Sequence, residues 1–119
     1  MQFYRDMYVS PEIQHPGSVK RRLQHSAGSL SLYVITVCGD ASGQLQFFSS
    51  AYLRQPFLKR SCPMILGIAE GRANAIRLVE KMFRECYEQT GGADLIPFLA
   101  KRDARLQSDI PPAAQKEEA

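Results

Sequence analysis

Residues 29–38 begin as an alternating segment and then stop alternating. Leu30, Leu32 and Val34 are spaced by Ser29, Ser31 and Tyr33, after which Ile35 and Val37 make both sides apolar. Such a run is a strand, and apolar residues on both of its faces require a central place in a sheet that is covered on each side. No other stretch of the chain constrains the fold as much. The turn-forming residues 39–43 follow, and residues 44–48 alternate again, so an antiparallel hairpin is expected.

Other segments supply the rest of the sheet. Residues 3–9 mix aromatic and polar side chains and stop at Ser10-Pro11, which predicts a short edge strand. Residues 64–69 form a continuous apolar run behind Cys62-Pro63 and predict a buried strand. Residues 17–24 hold only Val19 and Leu23 as apolar positions; the Ala27-Gly28 break before a definite strand favours a hairpin arm there over a helical turn. Ser49 or Ser50 is placed to cap a brief helical turn that Pro56 ends.

The cover is expected from a long helix. Over residues 72–89, Ile76, Val79, Phe83 and Cys86 recur at helical spacing, with Ala75, Leu78 and Met82 widening the stripe, and Gly91 supplies a left-handed stop. Packing of Ile76, Val79 and Phe83 against Leu30, Leu32 and Val34 follows. Glu80 with Arg84, Lys81 with Glu85 and Arg84 with Glu88 are spaced for ion pairs on its outer face. Asp94 opens a short helix carrying Leu95, Phe98 and Leu99, which must tolerate Pro97 in its first turn. The expected architecture is α+β: a small, mainly antiparallel sheet of four or five strands, one long helix in the C-terminal half, and short helices. Residues 1–103 form one domain and residues 104–119 a polar, disordered tail, because the apolar period ends beyond Arg105. The face that the long helix leaves bare is assigned to the short C-terminal helix or to a second copy of the chain.

Charge and cysteine usage exclude more than they assign. The net charge is +3, too small a surplus to imply a nucleic-acid or membrane partner by itself. Three cysteines, an odd number with no C-x-x-C pair, disfavour a disulfide framework and a structural zinc site, and with no secretory leader a cytoplasmic location is expected. His15 and His25 have no ligand-spaced companions, so no metal and no cofactor is assigned. Cys38 and Cys86 fall on apolar positions, while Cys62, after Lys59-Arg60, is the one thiol in an electropositive setting.

Two residue groups remain as binding candidates. Lys20, Arg21 and Arg22 form the densest basic run and are candidates for a nucleic-acid backbone; on a strand, though, they would divide between two faces, and protection of an edge is the favoured reading. Gly71 and Arg72 stand at the entry to the long helix, where exposed amides attract anions, yet the P-loop and dinucleotide spacings are absent and Glu70 opposes an anion there. No catalytic constellation occurs. The leading expectation is a non-catalytic binding or interaction module that forms a homodimer through a sheet face or edge, without membrane contact; the alternatives are a nucleic-acid binder and a small anion-binding domain or enzyme.

Overall fold

The computed structural model describes residues 1–25, 28–38 and 44–109. Strands β1 (Phe3–Val9), β2 (Leu32–Val37), β3 (Leu45–Ser49) and β4 (Ile65–Glu70) form one sheet in the order β1-β4-β2-β3. β2 pairs antiparallel with both β3 and β4, while β1 runs parallel to β4 at an edge. The fold is therefore α+β, and the segment that is apolar on both faces is central as its pattern requires. Residues 39–43, the expected turn, lie outside the described residues.

Residues 17–24 do not form a hairpin arm. They belong to helix α1 (Pro16–Gln24), which opens on Pro16, a residue whose missing amide proton costs nothing at a first helical position. Val19 and Leu23, one turn apart, bury that helix against Leu32, Val34, Ile65 and Ile68. Leu53 joins the same cluster from a 3-10 segment, Ser50–Arg54, whose start Ser49 caps by accepting the Ala51 amide. Pro56 then opens the short helix α2 (Pro56–Arg60), rather than only closing what precedes it.

The opposite face of the sheet carries the larger core. Helix α3 (Arg72–Thr90) packs there against Tyr4, Tyr8, Ile35, Val37, Leu66 and Ala69, and α4 (Leu95–Arg102) lies on the same side. Leu32 and Val34 face away from α3, so the partner residues expected for the long helix were assigned to the wrong face; Leu30 precedes the strand and is 79% exposed. The face that α3 leaves bare is covered by α1 and the 3-10 segment rather than by α4. The buried stripe of α3 is also rotated from expectation: Ala75, Leu78, Met82 and Cys86 are buried, Val79 and Ile76 flank them, and Phe83 is 38% exposed. Gly91, at φ 74°, ends the helix as its position predicts.

Chain order continues past residue 103. A 3-10 segment, Ala104–Asp109, inserts the fully buried Leu106 into the larger core, and the Asp109 carboxylate accepts the Met64 amide at 2.8 Å. The first part of the expected tail thus carries a 3-10 segment with one buried leucine; residues 110–119 lie outside the described part. Among the described residues, no helix is long and apolar enough to cross a membrane.

Candidate functional site

A sheet with two edges must satisfy or protect the outward backbone groups of each. On β1 this is done by side chains from the far end of the chain. The Arg5 amide donates to Asp103 Oδ2 at 3.0 Å, and Arg105 Nη2 donates to the Phe3 carbonyl at 3.0 Å. Asp103 is 7% exposed and paired with Arg105 at 2.7 Å. Hydrogen bonds from Arg105, joined by the Arg5 amide, hold its carboxyl down at about 2 despite burial. Behind this closure, the Tyr4 hydroxyl donates to the Leu99 carbonyl at 2.8 Å, and Tyr8 donates to Glu85 at 2.9 Å. Burial pushes Tyr4 up to about 12 and Tyr8 higher still. Burial opposes ionisation of Glu85 as well, but bonds from Arg102 (2.8 Å) and Tyr8 outweigh it and keep the carboxyl below its ordinary range. These groups join β1, α3 and α4; they are fully engaged with one another.

The other edge is built differently. The Cys38 amide donates to the Gln44 carbonyl at 2.6 Å, so in this antiparallel ladder the hydrogen-bonded pairs continue at Thr36–Gln46 and Val34–Phe48. The amides and carbonyls of Leu45 and Phe47 consequently point away from the sheet, while Ser49 turns into the 3-10 segment that it caps. Among the described residues, no side chain reaches them as Asp103 and Arg105 reach β1. The strand reads Leu-Gln-Phe-Phe-Ser, with no charge, no proline and every residue half-buried. Tyr33 and the Arg72 guanidinium pack on the Phe47 ring, at 6.2 and 5.6 Å. Immediately downstream, Tyr52 and Phe57 are 57% and 70% exposed.

A third feature is concave. β1 and β4 are parallel neighbours whose following helices, α1 and α3, lie on opposite faces, and this arrangement opens a crevice beyond the carboxyl ends of the two strands. Two grooves occupy it and share Glu12. One, of about 490 Å³, runs between residues 9–12 and α3; the other, of about 390 Å³, runs along α1 past His15, Ser18 and Arg22.

The residues singled out from sequence are not gathered into one site. Lys20 lies over the Phe3 ring at 5.5 Å, Arg21 reaches back to Ser18, and Arg22 lines the smaller groove. Successive residues of a helix diverge by about 100°, so α1 spreads this basic run over much of its circumference. Gly71, at φ 84°, makes the turn into α3, and its amide is spent on the Ser31 carbonyl. Arg72 is turned toward Phe47, away from an anion at that helix start. Cys62 is not activated: burial pushes its thiol up to about 11, the reverse of what a nucleophile needs. Among the described residues, no three His, Cys, Asp or Glu side chains come together as metal ligands. Sequence reasoning missed both the open edge and the crevice. The first was legible in the uncharged run 45–49; the second depends on a parallel pairing that local pattern does not encode. Comparison with protein-family models, with curated proteins and with solved structures finds no match to this chain.

Proposed function

We propose that the chain is a non-catalytic interaction module that self-associates through the outer edge of β3. One observation supports this reading: among the described residues the two edges of the same sheet are treated oppositely, β1 held at Phe3 and Arg5 by Arg105 and Asp103, β3 without such side chains and uncharged. Edge strands in isolated domains are ordinarily guarded by lysine, proline or a bulge, and an unguarded one is a template for strand addition. A second copy suits this template because two β3 strands related by a two-fold axis place Phe47 opposite Phe47, and neither strand carries a charge of its own. Five residues make a small contact, so association on the order of micromolar is expected, toward the weak end for specific interfaces. Both faces of the sheet are covered from within the chain, so self-association rests on the edge and not on a bare face.

Sedimentation velocity across a wide concentration range tests the proposal. Dimerisation of the wild-type chain is expected, and Leu45→Pro should abolish it: the Leu45 amide points outward, so proline there removes a donor from the edge and none from the β2 ladder. A strictly monomeric wild-type chain at high micromolar concentration, or a Leu45→Pro chain that is folded by circular dichroism and still dimeric, would overturn it. The nucleic-acid reading has less behind it, because Lys20, Arg21 and Arg22 diverge around α1.

A further inference from the structure

Arg77, Lys81 and Arg84 recur at helical spacing on α3 and line the larger groove of the crevice. None of them makes an ion pair among the described residues: the two ion pairs there are Arg102–Glu85 and Arg105–Asp103. The pairs expected from spacing, Glu80–Arg84, Lys81–Glu85 and Arg84–Glu88, are therefore not in contact; Glu85 is held by Arg102 from α4, with Lys81 a more distant contributor. Arg77 is held in place by a short relay in which the Glu70 carbonyl accepts Asn74 Nδ2 at 2.8 Å and Asn74 Oδ1 accepts Arg77 Nη1 at 2.8 Å. The relay begins at the carboxyl end of β4, so a guanidinium is fixed at the mouth of the crevice by the strand that creates it. Val9 and Leu78 supply apolar lining, and Glu12, held by the Ser10 hydroxyl at 2.7 Å, faces the cations together with Glu80.

The geometry points to this groove as a binding site for a small phosphate monoester whose body carries hydroxyl groups. Three cations over two helical turns, none in a contact ion pair among the described residues, match a phosphoryl group, which accepts several charge-assisted hydrogen bonds at once. Glu12 and Glu80 disfavour a bare anion of the same charge, but they are acceptors for the hydroxyl donors of a sugar or polyol. The mixed lining thus selects for a molecule bearing both groups, and a volume of about 490 Å³ lies within the ordinary range for such sites. The position agrees with the general preference of ligands for the point where helices after adjacent parallel strands part to opposite faces.

Isothermal titration and amide chemical-shift mapping with ribose 5-phosphate, ribose and inorganic phosphate test the assignment. Ribose 5-phosphate is expected to bind saturably and to shift amides at residues 10–12 and 74–84. Inorganic phosphate should bind about tenfold more weakly and ribose not measurably, given the strength of charge-assisted contacts. The double substitution Arg77→Gln, Lys81→Gln should weaken ribose 5-phosphate at least about tenfold while the circular dichroism spectrum stays unchanged. No saturable binding by about 10 mM, equal affinity for inorganic phosphate, shifts confined to other residues, or a folded double variant that binds like wild type would each overturn it. The Leu45→Pro chain should bind equally well, so the fate of this site is separable from that of the β3 edge.

Discussion

Met82 and Phe83 are adjacent on α3, yet Met82 is fully buried and Phe83 is 38% exposed. Periodicity established the width of the apolar stripe but not its centre, because Ile76, Val79 and Phe83 on one side and Ala75, Leu78 and Met82 on the other satisfy the same spacing. What selects the centre is the space above the sheet. A Cβ on Gly67 would meet Leu78 at 3.2 Å and the Tyr8 carbonyl at 3.2 Å, so the helix lies close on the strand along the Leu78 line. Met82→Ala should therefore cost about 2–5 kcal/mol in urea unfolding and Phe83→Ala about 1 kcal/mol or less. The reverse order would mean that the helix presents its other flank inward.

At the scale of elements, the strands were the more legible part. β-branched and aromatic runs bounded by turn residues located all four strands to within a few positions, and the central place of β2 followed from its two apolar faces. α1 was misassigned because nine residues with two apolar positions carry too little period; the decisive signals were the four-residue spacing of Val19 and Leu23 and the proline at its start. The closure of β1 was not legible at all, since Asp103 and Arg105 act on residues about a hundred positions away. Its electrostatics can be measured. The Asp103 pKa is lowered from 3.8 to about 2 in the folded chain. Between these values the unfolded chain binds more protons, so this stabilisation is complete above about pH 4 and is lost as pH falls toward 2. Asp103→Asn should lower stability at pH 7 by about 1–3 kcal/mol and flatten the acid limb of a plot of stability against pH. An unaltered limb would show that other carboxylates govern acid unfolding.

For the molecule as a whole, the sheet class was anticipated and the layering was not. Both covers of the sheet come from this one chain, with α1 on one face and α3 with α4 on the other, and the larger core is completed only by Leu106. A chain ending at Asp109 is expected to melt within a few degrees of the full sequence, whereas one ending at Asp103 should be markedly less stable, having lost a fully buried leucine and the Arg105 contact to Phe3. Equal melting temperatures for the two would place residues 104–109 outside the cooperative unit.

The parallel pairing of β1 with β4 also bears on how the chain reaches its native state. Phe3 pairs with Ile65, and the bond from the Arg5 amide to Asp103 spans 98 positions. Contacts that distant form late, because the entropy of closing a long loop must be met before they contribute anything. Throughout that interval the aromatic-rich Phe-Tyr-Arg-Asp-Met-Tyr-Val segment has neither its inner partner nor its outer closure. Arg5 and Asp6, exposed in the finished sheet, interrupt its apolar character at the middle. There they act as gatekeepers, keeping a strand that must wait for its partner from assembling with the same strand of another chain in the meantime.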